Sequence, residues 1–193
     1  MKPAREHATN NGQTYFVTSE TMRRQMLFAN ERWAKVFIEI LYHYREERAY
    51  LLHEFVVMPD HFHAIITPKT SLEKAVQFIK GGFSFRAKKE LQTRWEIWQR
   101  GFSDHRIRDA RDYKIHSDYI HQNPVKKRLV VESHLYPYSS ASGAFTLDPI
   151  PQWLKPHSAD LDNGTAEAVP LQSSRLSSTA KLPYQSKVSE QQS

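Results

Sequence analysis

Between Tyr50 and Thr67 the chain runs through two apolar stretches interrupted only by Met58-Pro59-Asp60. Proline presets its own φ and aspartate readily turns the backbone, so the interruption predicts a tight turn, with 50–57 and 61–67 as the arms of an antiparallel hairpin. Side chains alternate across a pleated strand. His61, His63 and Ile65 therefore share one face while Phe62, Ala64 and Ile66 take the other. Two imidazoles on one face of a rigid strand can converge on a single metal ion. A lone His-x-His is more often a pair of hydrogen-bonded structural residues, so the pattern gains meaning only from a second element.

That element is the segment Asp112 to Pro124, which reads as part of a helix over 109–122 stopped by the proline. At about 100° per residue, His116, Tyr119 and Asn123 fall on one stripe. This stripe offers a phenol for covalent chemistry and an amide oxygen that could complete a metal shell. Tyr113 lies on a different helical face and reads as packing or as a contact to a partner.

The remaining pattern supplies a scaffold. Residues 14–18 are β-branched and aromatic, a first strand, and 30–48 place Trp33, Val36, Phe37, Ile40, Leu41 and Tyr44 at helical spacing. Ser71 caps a second helix, with Leu72, Ala75, Val76, Phe78 and Ile79 as its apolar stripe; Gly81-Gly82 is expected to interrupt it, with helix resuming over 83–91. Residues 95–98 are the expected fourth strand. The order βαββαβα is that of an α+β ferredoxin-like sandwich: an antiparallel sheet with an added C-terminal helix carrying the tyrosine. Its first and third strands are central, which sets His61 and His63 mid-sheet on a face left open for substrate. The expected organisation is a flexible N-terminus over 1–12, one domain over 13–149 and a mostly disordered polar tail over 150–193.

Composition narrows the chemistry. There is no cysteine among the 193 residues, which excludes disulfides and thiolate metal sites and leaves histidine, amide and carboxylate as ligands. No run approaches a membrane span and no export signal is recognisable, so a cytoplasmic protein is expected, without a membrane partner. Basic and acidic residues balance beyond Pro149, so the net charge of +6 belongs to the body. From Lys80 to Arg111 nine basic residues face four acidic ones, interleaved with Phe83, Phe85, Trp95, Trp98 and Phe102. That mixture suits phosphates and unstacked bases, although a solvated helix face above a core explains it as well. No Gly-x-x-x-x-Gly-Lys loop occurs, so no nucleotide cofactor is expected.

Taken together, these motifs resemble the REP-associated tyrosine transposases, a branch of the single-tyrosine HUH nucleases within the IS200-like superfamily. Met58-Pro59-Asp60-His61-Phe62-His63 looks like the metal motif, and Trp98-Gln99-Arg100-Gly101-Phe102 followed by Ile107-Arg108-Asp109 looks like the central block. Tyr119-Ile120-His121-Gln122-Asn123-Pro124-Val125 is similar to the nucleophile helix, and Tyr136-Pro137-Tyr138-Ser139-Ser140 to the closing segment. The resemblance implies a metal-dependent single-stranded DNA endonuclease and strand transferase, associated with the nucleoid. The implied substrate is a REP-type palindromic hairpin, and the implied intermediate a 5′-phosphotyrosine. Tyr119 is the implied nucleophile, His61, His63 and Asn123 the implied ligands of Mg²⁺ or Mn²⁺. Asn123 stands where related insertion-sequence enzymes carry Gln, and Gln122 is an alternative ligand; His105 and His116 are further possible members. Arg86, Lys88, Lys89, Arg100, Arg106, Arg108, Lys126, Lys127 and Arg128 are the candidate DNA contacts, and a monomer is favoured over a dimer. Two other classes compete. A two-histidine phosphoesterase needs two separated His-x-Thr/Ser motifs in its core, where this chain offers only His-Phe-His once; a noncatalytic binder with a ferredoxin-like sheet needs only the basic and aromatic residues.

Overall fold

The computed structural model describes residues 12–154; the expectations for residues 1–11 and 155–193 lie outside them. The elements follow in the order β1 (Tyr15–Glu20), α1 (Glu31–Glu46), β2 (Tyr50–Met58), β3 (His61–Pro68), α2 (Leu72–Glu90), β4 (Ser103–Arg106) and α3 (Ala110–Lys126). The four strands form one antiparallel sheet in the order β2-β3-β1-β4, so β1 and β3 are central as the ferredoxin-like reading requires. Among the described residues no helix is long and apolar enough to cross a membrane.

Pleat alternation gives the sheet two unlike faces. Val17, Phe62, Ala64 and Ile66 join α1 and α2 in a core whose centre is aromatic: Phe37 meets Phe62, Phe83 and Trp98 at ring separations of 4.9, 5.2 and 5.6 Å. Each such side chain contributes about 1.5–3 kcal/mol by leaving water. On the opposite face Val56, Met58 and Ile65 pack against Tyr113 and Ile120 of α3, with Ile107, Tyr136 and Leu154 around them. The face bearing the histidines is thus not open as expected. Its apolar side chains need a cover, and α3 provides it.

Three local expectations are corrected. The helix from Leu72 continues through Gly81-Gly82 to Glu90, capped by the Ser71 hydroxyl accepting from the Lys74 amide. Gly82 is there for closeness: a Cβ at that position would lie 2.3 Å from the Tyr44 ring of α1. Likewise Pro124 does not stop α3, which runs on to Lys126 and is capped by the Lys127 amide donating to the Asn123 carbonyl. Finally, the fourth strand is Ser103–Arg106, not residues 95–98. Ile97 and Trp98 are buried in the aromatic core, and their segment meets β1 through a Thr21–Trp98 bridge and the Met22 amide on the Ile97 carbonyl at 2.7 Å. Their apolar character serves that packing, whereas the edge strand is half-exposed and can be polar.

The free edge of β2 is covered by the segment after α3. The Val57 amide donates to the Tyr138 carbonyl at 2.9 Å, and the Leu52 amide to the Asp148 carboxylate at 2.8 Å. Arg45 of α1 holds that carboxylate at 2.7 and 3.0 Å.

Candidate active site

His61 and His63 point from β3 toward α3 and are almost fully buried, at 6% and 4% exposure. Their Nε2 atoms face each other at 3.1 Å. The other nitrogen of each ring is held from outside: His61 Nδ1 lies 2.6 Å from Asp60 Oδ1, and His63 Nδ1 lies 2.7 Å from Thr18 Oγ1. A carboxylate can only accept, so the His61 Nδ1–H donates to Asp60 and the His61 Nε2 lone pair is left facing His63. Partners of this kind fix ring orientation and tautomer at histidine ligands. The 3.1 Å spacing is close to the ligand-to-ligand edge, about 3 Å, of a cation with bonds near 2.1 Å. The residues therefore fit a divalent ion.

Burial pushes the His63 imidazole down to about 3, with the neighbouring His61 and Arg24 adding to the effect, so the ring is neutral at physiological pH. Burial would raise the Asp60 carboxyl, but the hydrogen bonds from His61 and Arg24 outweigh it and hold the group below the usual range. Arg24 Nε donates to Asp60 Oδ2 at 2.8 Å and Arg24 Nη1 to Glu20 at 2.6 Å. This guanidinium sits on a turn in which Arg23 and Arg24 both have left-handed φ, 53° and 54°. Such backbone costs on the order of 1 kcal/mol per residue, and here the Thr21 hydroxyl, on the Gln25 and Asp60 carbonyls, braces the turn.

α3 brings Tyr119 to the pair. Its ring stands edge-on to His63 with centroids 5.1 Å apart and edge-on to Phe16 at 5.8 Å, while Lys126 Nζ lies 5.6 Å from the ring centroid. At 41% exposure Tyr119 is the accessible member of a buried group. Asn123, one turn on, is buried on the same helix, whereas Gln122 is exposed. Tyr113 is buried in the second core, and burial raises its phenol, consistent with packing.

His105 and His116 meet each other rather than the histidine pair. Their rings stack at 4.5 Å, and both contact Asp112. Phe16 links this group to the first, with its ring 4.8 Å from His116 and 5.3 Å from His63.

The candidate DNA contacts divide between the two layers. Lys126, Lys127 and Arg128 are exposed at the end of α3, and Arg100 and Arg108 flank β4. Arg106 pairs with Tyr15 and His105 with Phe16, so Arg106 faces the α1/α2 side. Arg86, Lys88 and Lys89 belong to α2 on that side, and Arg86 is paired with Glu39 and Glu90 at 2.8 Å. Sequence reasoning did not find Thr18, Arg24, Asp60 or Phe16. Asp60 adjoins His61 in the turn and was findable; Thr18 and Phe16 need the β1–β3 register.

Residues 9–123 match the family described as transposase IS200 like. The chain is 27% identical over 154 residues to the REP-associated tyrosine transposase of Escherichia coli (strain K12), spanning 77% of this chain and 90% of that one. It is 34% identical over 96 residues to a putative REP-associated tyrosine transposase of Haemophilus influenzae (strain ATCC 51907 / DSM 11121 / KW20 / Rd), covering 44% and 54% of the two chains. Among solved structures, a REP-associated tyrosine transposase bound to a REP hairpin superposes with a TM-score of 0.59 at 26% identity, covering 82% of this chain and 96% of that one.

Proposed function

The chain belongs to the IS200-like transposase family, and on that premise we propose that it cleaves and rejoins single-stranded DNA at REP-type hairpins, with Tyr119 as the nucleophile. The observation that supports the reading is the pair of Nε2 atoms 3.1 Å apart, with the Tyr119 ring edge-on to His63 at a centroid separation of 5.1 Å. A divalent cation of the Mg²⁺ or Mn²⁺ class, held by His61, His63 and Asn123, supplies polarisation of the scissile phosphate when bound.

The residues account for the rest of the reaction. The Tyr119 oxygen forms a bond to phosphorus as the bond to the 3′-oxygen breaks; the phenolic proton ends on that oxygen, giving a free 3′-hydroxyl and a 5′-phosphotyrosine. One phosphodiester replaces another. A second 3′-hydroxyl reverses the step and joins strands without a nucleotide cofactor. Exposure of Tyr119 beside buried ligands lets a strand enter from solvent while the ligands stay fixed. Lys126, Lys127, Arg128, Arg100 and Arg108 would take backbone phosphates near the site, and Arg86, Lys88, Lys89 and Arg106 a strand passing around the β4 edge. Such a protein acts as a monomer in the cytoplasm, at the nucleoid.

The test is incubation of labelled hairpin-bearing strands with Mg²⁺ or Mn²⁺. The wild type should release a product with a free 3′-hydroxyl and retain the 5′ end on protein, and Tyr119→Phe should do neither. Unchanged cleavage by Tyr119→Phe removes the nucleophile assignment. Tight hairpin binding with no cleavage by the wild type in either metal favours the noncatalytic binder.

A further inference from the structure

The group formed by His105, Asp112 and His116 lies outside the histidine pair and outside the chemistry assigned to Tyr119. His105 leaves β4 toward the α3 side, because its register partner is Phe16. Asp112 and His116 are one turn apart on α3, whose first turn is capped by Asp109. His105 Nε2 lies 2.8 Å from Asp112 Oδ2, and His116 Nδ1 lies 3.1 Å from Asp112 Oδ1. One ligand atom from each of the three residues falls within 4.8 Å of the others.

We propose that His105, Asp112 and His116 form a second metal site, selective for a borderline ion of the zinc class, that ties β4 to the helix bearing Tyr119. Two imidazoles and one carboxylate are a three-ligand set with an open fourth position, suited to Zn²⁺ or Co²⁺ rather than to Mg²⁺, which prefers oxygen. Bonds of about 2.0 Å in a tetrahedron put ligand atoms about 3.3 Å apart; Asp112 Oδ1 lies 3.1 Å from both His105 Nε2 and His116 Nδ1, so these two edges need only a few tenths of an ångström of opening. The Arg108 amide on Asp112 Oδ2 at 3.0 Å holds the carboxylate from behind, as outer partners do at metal sites. The His105 side chain, 38% exposed, leaves an entry path.

The site has a route to the chemistry through packing. His116 borders Phe16, and Phe16 borders both His63 and Tyr119. Fixing His116 therefore fixes one wall of the pocket in which the tyrosine ring sits. The three residues position the nucleophile's helix and do not touch the substrate.

The experiment uses the full chain freed of metal by a chelator, titrated with Zn²⁺ by calorimetry and with Co²⁺ by visible absorption. The expected wild-type stoichiometry is two, and His61→Ala/His63→Ala should keep one equivalent together with the intense bands of tetrahedral Co²⁺. Asp112→Asn should weaken that remaining equivalent by roughly tenfold or more, as should His105→Ala/His116→Ala. An equivalent that survives loss of the histidine pair and disappears with Asp112→Asn supports the site even if the nuclease reading fails. If His61→Ala/His63→Ala binds no zinc, or if Asp112→Asn leaves the remaining equivalent untouched, the second site is overturned and the nuclease reading stands. Where a variant fails to fold, anomalous scattering at the zinc edge from soaked wild-type crystals decides: a peak between His105 and His116 supports the site and a blank there overturns it.

Discussion

The two faces of one sheet have opposite characters. Toward α1 and α2 the side chains are aromatic and aliphatic, and Phe37, Phe62 and Phe83 are wholly buried. Toward α3 the apolar cluster is small and is interrupted by His61, His63, Glu54, Ser117 and Asn123, each of which needs a partner or a ligand. Glu54 shows how this is handled: it accepts from His121 at 2.9 Å, Ser140 at 2.6 Å and Ser117 at 3.2 Å. Desolvated polar groups stabilise little on balance and specify much. The lesson is a division of labour, in which one face holds the strands rigid so that the other can keep polar side chains in fixed positions.

The sharpest break between the faces comes from catalysis without stability. Tyr119→Phe removes one hydroxyl from a residue that is 41% exposed, so strand cleavage is expected to fall by roughly a thousandfold or more while the chain unfolds at nearly the same denaturant concentration. The reverse is expected at Phe37. Phe37→Ala should cost about 3–5 kcal/mol of stability, read by urea unfolding, with the cleavage rate per folded molecule preserved. A matching loss of rate at that position would dissolve the proposed division.

Two smaller effects sharpen it. Asp60→Asn leaves the strand intact but weakens the grip on the His61 Nδ1–H and on Arg24; metal affinity at the histidine pair should fall about 10- to 100-fold by calorimetry with little change in unfolding. Gly82→Ala acts on the other face, where the new methyl meets the Tyr44 ring, and should cost about 1–3 kcal/mol without altering metal affinity.

The smallest expected effect is a pH dependence. The hydrogen bond to Glu54 raises the His121 imidazole above its ordinary value, against the opposing pull of burial. A raised folded pKa means that the pair's contribution is complete below the unfolded value of about 6.5 and fades as pH climbs through the folded one. Urea unfolding of His121→Gln across pH 5 to 9 should lack this decline. An equally steep decline in the variant would assign it to another group.

Much of the scaffold was legible in the sequence because period and punctuation agree with tertiary need. The hairpin around Met58-Pro59-Asp60, the Ser71 cap and the shared stripe of His116, Tyr119 and Asn123 are local signals that packing reinforces. Legibility ended where a residue serves a distant neighbour. Gly82 looks like a breaker until Tyr44 is seen beside it, and residues 95–98 look like a strand until Trp98 is seen among Phe28, Phe37 and Phe83. Pro124 sits inside a helix whose last turn is completed beyond it. In the candidate site the shared strand face of the two histidines and the helical stripe of Tyr119 are local patterns, whereas Thr18 beside His63 follows from strand register and His105 beside Asp112 from the seating of α3 beside β4, neither of which a single segment encodes.

The central claim is that one phenol at the edge of a buried imidazole pair takes the phosphate. Mass spectrometry of the protein after reaction with a hairpin-bearing single strand and Mn²⁺ tests it most directly. The account predicts a peptide containing Tyr119 that carries a 5′-linked nucleotide and is absent from His61→Ala/His63→Ala. A nucleotide found on any other residue, or the same adduct formed at the same rate without the two histidines, would contradict it.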